Sequence, residues 1–170
     1  YYYPHSQEEL KIHYRCIREA LDAPVWVYNI PQMHKTAVAP ATVADLADEG
    51  VVEGIKDSSG AGELLAELHA LRTVREFELV STLGTMLRAT TAVTLGAQGI
   101  IPGLANALPA IMARAWEAGR IGDVETARAC DAQIVAGLRL QTLGKSGSGV
   151  QGSVYSGLKA ALLHMGVIKT

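Results

Sequence analysis

Two short apolar runs, Val25-Trp26-Val27-Tyr28 and residues 51–56, are separated by a stretch with helical spacing. This alternation constrains the fold more than any other feature of the sequence. Runs of this length are of the kind buried on both faces of a parallel sheet, and strands alternating with helical patterns argue for βαβ units. The first run ends in Tyr28-Asn29-Ile30-Pro31 and the second in Gly54-Ile55-Lys56-Asp57-Ser58-Ser59-Gly60, so a tyrosine and a lysine stand at the ends of successive strands. A lysine that closes an apolar run is partly desolvated, which disfavours its ammonium form. A free amine is a nucleophile toward a ketone. A phenol one strand away is suited to relay the protons that carbinolamine formation and dehydration require.

The alternation continues on both sides of this pair. Ser6 is placed to cap a helix whose apolar stripe is Leu10, Tyr14, Ile17 and Leu21. A loop carrying Pro31 and Pro40 leads to a helix using Val43, Leu46 and Ala47, and Asp57 is read as the cap of the helix bearing Leu64, Leu68 and Leu71. Residues 77–81 read as a third strand, Met86, Leu87, Thr90 and Val93 as a helix ended near Gly96, and residues 99–101 as a brief strand cut off by Pro102. Beyond Ala105 three helices are expected, over residues 106–118, 123–143 and 154–165. The sum is an α/β chain of about four parallel strands with a helical tail. Four strands do not close a barrel, which needs eight and typically about 250 residues.

Composition narrows the function classes. The 15 basic and 17 acidic residues are scattered and aromatics make up 5% of the chain, so no nucleic acid is expected as a partner. No membrane partner is expected either, because no long uncharged apolar stretch and no signal-like N-terminus occurs. Cys16 and Cys130 are far apart in sequence and lack metal-ligand spacing, which fits reduced cysteines and a cytoplasmic location. The five histidines form no metal-ligand pair, and His34 follows the first strand closely enough to line a pocket mouth. Gly144-Lys145-Ser146-Gly147-Ser148-Gly149 has a phosphate-loop flavour, yet the first glycine of that pattern falls at Arg139 and a helix precedes it. It reads as a connector. The sequence begins at Tyr1 rather than methionine, and a trimmed or incomplete product is expected.

Together these motifs resemble those of the dihydrodipicolinate synthase and N-acetylneuraminate lyase family of Schiff-base aldolases, which are (β/α)₈ barrels. Tyr1-Tyr2 with Ser6-Gln7-Glu8 is similar to the segment after the family's fourth strand, Tyr28-Asn29-Ile30-Pro31 to its fifth-strand motif, and Gly54 to Ser59 to its sixth. Gly96-Ala97-Gln98-Gly99-Ile100-Ile101, with Ala105-Asn106, resembles the eighth-strand segment, and Leu158-Lys159-Ala160-Ala161-Leu162 with Gly166 the helix near the C-terminus. The resemblance implies the C-terminal half of a TIM barrel, strands 5 to 8, over residues 1–105, followed by a helical segment of the same domain over 106–170. It implies a lyase of the pyruvate-dependent class I type. Lys56 would form the imine with a 2-oxo acid such as pyruvate, Tyr28 would shuttle protons, and Tyr2 would be a second relay tyrosine offered to a neighbouring subunit. The substrate would also meet Ile101, Gly84 and Thr85. No cofactor or metal is expected beyond the covalent imine, and a homodimer or homotetramer is implied.

Two departures bear on the substrate. Synthases of the family carry an arginine two residues after the proline, suited to a substrate carboxylate, and Met33 stands there. Sialic acid lyases place acidic residues beside the glycine matching Gly84, where this chain has Thr85 and Met86. The expectation is therefore a 2-keto-3-deoxy sugar acid aldolase or dehydratase, with 4-hydroxy-tetrahydrodipicolinate synthase as the alternative. The family's Gly-Thr-Thr carboxylate-binding segment, on its second and third strands, is not among these residues. A non-catalytic half-barrel that self-associates through its open edges is the reading of another class.

Overall fold

The computed structural model describes residues 3–60, 62–84, 89–143 and 149–169, with Gln151 described in its backbone alone. The chain forms two compact units, Tyr1–Thr85 with Thr91–Ile101, and Met86–Thr90 with Pro102–Thr170. The first holds the strands β1 (Trp26–Asn29), β2 (Gly54–Asp57), β3 (Val80–Leu83) and β4 (Gly99–Ile100), all parallel and ordered β1-β2-β3-β4.

Local chemistry sets the helices of this unit. At α1 (Gln7–Ala20) the Ser6 hydroxyl accepts the Glu9 N–H and the Glu9 carboxylate accepts the Ser6 N–H at 2.7 Å, a reciprocal cap. Prolines occupy the first positions of α2 (Pro31–His34) and α3 (Pro40–Asp48), where a missing N–H costs nothing. The expected loop after β1 thus begins with a helical turn, closed by Lys35 in the left-handed region at φ 61°. α4 spans Glu63–Leu71. Val27, Ile55, Val43, Leu46, Leu65 and Leu68 are at most 2% exposed and make this unit's core.

Several sequence expectations shift. Burial along β1 alternates, so Trp26 and Tyr28 are 40% and 44% exposed while Val27 and Asn29 are buried. Side chains of a strand point alternately to opposite faces, and only one face of β1 is packed. β2 starts late because the Val51 and Val52 N–H groups both donate to the Leu46 carbonyl and close α3 instead. β3 begins at Val80 rather than residue 77, with the Phe77 ring held beside the Arg72 guanidinium at 5.3 Å. Asp57 does not cap α4, whose N-cap is Gly62 at φ 83°, five residues later. α5 covers Ala89–Thr94, and the expected helical positions Met86 and Leu87 lie outside the described residues.

The second unit is helical. A 3₁₀ turn at Gly103–Asn106 precedes α6 (Pro109–Ile121) and α7 (Val124–Gly137), a second 3₁₀ segment covers Leu138–Thr142, and α8 is Val150–His164. Gly122, left-handed at φ 77°, and Asp123, whose carboxylate accepts the Thr126 N–H at 3.0 Å, turn the chain between α6 and α7. Met112, Ala115 and Ala118 are buried on α6, as are Ala127, Cys130 and Ile134 on α7. The helix expected over residues 123–143 ends as α-helix at Gly137 and tightens into the 3₁₀ segment. A Cβ at Gly157 would strike the Leu140 carbonyl oxygen, so a glycine is what lets α8 approach that segment. The lysine of the glycine-rich segment, Lys145, lies outside the described residues.

Candidate active site

The parallel register places Tyr28 opposite Lys56, Lys56 opposite Thr82, and Thr82 opposite Gly99. One row across the open face of the sheet thus carries the tyrosine and the lysine side by side. Lys56 Nζ lies 4.2 Å from the centroid of the Tyr28 ring, well within the range of a cation–π contact. Lys56 is half-buried, and Thr82 beside it is buried, with its hydroxyl donating to the Ile55 carbonyl at 3.0 Å. His34, from the turn of α2, meets the Tyr28 ring edge-on, ring centroids 6.4 Å apart at 82°. His34 and Tyr28 line a groove of about 860 Å³ together with Trp26 and Tyr14, and Lys56 is not among the residues lining it.

Beyond the strand ends the ladder continues as a staircase. Ser58 N–H donates to the Asn29 carbonyl at 2.8 Å, Gly84 N–H to the Asp57 carbonyl at 2.6 Å, and Ile101 N–H to the Leu83 carbonyl at 3.0 Å. Gly84 and Ile101 therefore stand at the same end of the sheet as Tyr28 and Lys56. A Cβ at Gly84 would collide with the Ser58 hydroxyl and lie 3.1 Å from Lys56 Cε. The glycine leaves that space to the lysine stem. The Ile101 side chain is 46% exposed. Tyr2 and Thr85 lie outside the described residues.

On the packed face one residue further along, Asn29 and Asp57 are register partners, both almost wholly buried. Asn29 Nδ2 donates to Asp57 Oδ1 at 2.8 Å, and Ser59 donates to the same carboxyl through its N–H at 3.1 Å and its hydroxyl at 3.0 Å. Sequence reasoning placed Asp57 in the wrong role. The available signal was its one-residue offset from Lys56, which sends it to the opposite face of the strand. Tyr14 was also read only as part of an apolar stripe. Burial pushes its pKa up, and the nearby Tyr28 backbone acts in the opposite direction. Among the described residues no group of three His, Cys, Asp or Glu side chains is placed to hold a metal ion, and no helix is long and apolar enough to cross a membrane.

Residues 1–170 match the model of the dihydrodipicolinate synthetase family. The chain belongs to that family. It is 39% identical over 134 residues to a 4-hydroxy-tetrahydrodipicolinate synthase of Acidithiobacillus ferrooxidans, covering 79% of this chain and 45% of the relative. A synthase of the same name from Methanopyrus kandleri is 36% identical over 129 residues, with 75% and 42% covered. This chain therefore spans less than half the length of these relatives. A solved dihydrodipicolinate synthase from Bacteroides thetaiotaomicron superposes with a TM-score of 0.86 at 28% identity, covering 98% of this chain and 55% of that one. The four-stranded parallel sheet thus matches part of a dihydrodipicolinate synthase barrel. Enzymes of this family are lyases of the aldolase type that form a Schiff base through a lysine.

Proposed function

We propose that this chain carries the Schiff-base half of the active site of a class I, pyruvate-dependent lyase, with Lys56 as the imine-forming residue and Tyr28 as its proton shuttle. The observation that carries the reading is the adjacency of the two side chains, Nζ 4.2 Å from the ring centroid, at the same end of neighbouring parallel strands. Attack of Nζ on the C2 ketone of a 2-oxo acid forms a C–N bond. Loss of the carbinolamine hydroxyl as water needs a proton, and the Tyr28 hydroxyl, on the ring that Nζ faces, is placed to deliver it. The iminium then draws electrons from the C3 substituent. In this reading strands β1 to β4 are strands 5 to 8 of a barrel over residues 1–105, with 106–170 as its helical segment. Gly84, Thr85 and the backbone at Ile101 border the substrate. Tyr2 serves a neighbouring copy in a cytoplasmic homodimer or homotetramer.

For the specific reaction, 4-hydroxy-tetrahydrodipicolinate synthase is the better supported activity, because relatives at 36% and 39% identity bear that name. This reverses the ranking drawn from Met33 alone. Met33 still favours a second reading, a 2-keto-3-deoxy sugar acid aldolase or dehydratase, since it sets a 48% exposed thioether on α2 where a synthase arginine is expected. The test is borohydride trapping in the complete gene product with pyruvate. A stable adduct on the Lys56 peptide is expected in the wild type and none in Lys56→Met; absence of an adduct in the folded wild type sinks the proposal. The same preparations, assayed for production of 4-hydroxy-tetrahydrodipicolinate, separate the two readings.

A further inference from the structure

The place of the Tyr28 ring beside Lys56 Nζ follows from the register of β1, the strand that carries it, with β2. A polar pair on the packed face bridges the same two strands. Asn29 and Asp57, 1% and 0% exposed, sit one residue beyond Tyr28 and Lys56 on the same two strands. Every side-chain oxygen and nitrogen of the pair is used. Asn29 Nδ2 donates to Asp57 Oδ1, Asn29 Oδ1 accepts the Val38 N–H at 3.1 Å, and Ser59 donates twice to the Asp57 carboxyl.

Apolar residues of similar volume would fill this position at no polar desolvation cost. A buried amide and carboxyl instead demand one arrangement, because a shift of either strand leaves a buried group without its partner. A slip of one residue would also turn every side chain to the other face. Among the described residues no cation pairs with Asp57, so neutral donors alone satisfy it.

We infer that Asn29 and Asp57 are a positioning pair for the reaction: they lock the register and the ends of β1 and β2 so that the Tyr28 ring stays beside Lys56 Nζ. Neither touches the substrate. The inference rests on the Schiff-base reading above. Gln32 braces the same corner, its amide donating to the Ser58 and Ser59 carbonyls at 2.9 and 3.2 Å.

The experiment follows the rate of borohydride-trapped adduct at saturating pyruvate, the pyruvate concentration giving half-maximal trapping, and the melting temperature, all in the complete gene product. Asn29→Asp replaces the amide donor with oxygens that face the carboxyl. It is expected to cut the trapping rate about tenfold or more, equivalent to a small shift of the reacting groups, with half-saturation little changed. The swap Asn29→Asp with Asp57→Asn returns a donor to the pair and is expected to recover most of the rate. Ser59→Ala removes one hydrogen bond at the loop end, where folding is least at risk, and is expected to lower the rate about two- to fivefold. Wild-type rates in Asn29→Asp and Ser59→Ala, or a melting temperature that falls while the rate in the folded protein holds, overturn the inference. So does a swap that refolds without regaining rate. If Asn29→Asp does not fold, Ser59→Ala and the swap decide. A wild type that traps nothing instead removes the Schiff-base reading itself, an outcome these variants do not produce.

Discussion

The two faces of the four-stranded sheet draw alternate residues from the same strands and treat them in opposite ways. On the packed face Val27, Asn29, Ile55 and Asp57 are all but inaccessible, and the polar members are hydrogen-bonded. On the other face Trp26, Tyr28 and Val80 are 40% to 44% exposed, and Trp26 lies over Gly54, where a Cβ would enter the indole ring. The proposed reactive pair, Tyr28 and Lys56, belongs to the second face. A nucleophilic amine has to be reached by a small oxo acid, whereas the groups that fix its geometry work best out of water, where an unmade hydrogen bond is most costly. Period-two alternation lets one strand do both, with residues 28 and 56 turned to the open face and residues 29 and 57 turned toward the core.

The sharpest way to break this comparison is on the open face. Tyr28→Phe keeps the ring against Nζ and removes only the hydroxyl. General acid–base groups contribute roughly 10²–10⁴-fold, so kcat in the complete gene product should fall by about that factor while the melting temperature holds. A melting temperature that drops instead, with kcat intact, would make Tyr28 a packing residue and move the proton chemistry elsewhere.

The packed face should answer in the opposite currency. Ile55→Ala empties a site with no exposure, next in sequence to Lys56, and large-to-small changes of this kind cost about 2–5 kcal/mol. Val80→Ala, at 42% exposure on the open face, should cost well under half as much. Denaturant unfolding of both variants checks the contrast, and equal losses would mean that the open face is as closely packed as the other in the complete protein.

The same alternation explains what was legible in the sequence. The Tyr28 and Lys56 motifs and the βα order could be read directly, because short apolar runs between helical stripes have few other ways to fold. The exposure of Trp26 and Tyr28 could not. An unbroken apolar run looks alike whether one face or both are covered, and coverage is decided by what packs against it. Asp57 was misread for a related reason: Asp followed by serines is common cap chemistry, and only the register partner Asn29, 28 residues earlier, reveals the buried role. Met33, one side chain on a short turn, points to a sugar acid aldolase or dehydratase, whereas relatives at 36% and 39% identity bear the synthase name. Gly84 was placed by its motif alone, and its steric relation to Lys56 Cε required the third strand.

The smallest effect is expected away from the sheet, where charged side chains tie the outer helices together. Asp45 on α3 accepts from Lys11 of α1 at 2.8 Å and from Arg75 at 2.7 Å, and Arg75 also pairs with Asp48. Hydrogen bonds from Lys11 and then Arg75 hold the Asp45 pKa below its ordinary value of 3.8. A carboxyl lowered in the folded state adds stability above its unfolded pKa and loses it as the pH falls through the folded value. About a third of the side chain is exposed, so water screens the pair and the gain is modest. Asp45→Asn should therefore lower the melting temperature by a few degrees at neutral pH, with the gap to wild type closing as the pH drops below the ordinary aspartate range. Raising the salt at neutral pH should narrow the same gap, because exposed charges are screened. Trapping at Lys56 should be untouched throughout. A loss of trapping in this variant would mean that the outer helices and the open face are coupled, and that the division of labour between the two sides of the sheet is less complete than their burial indicates.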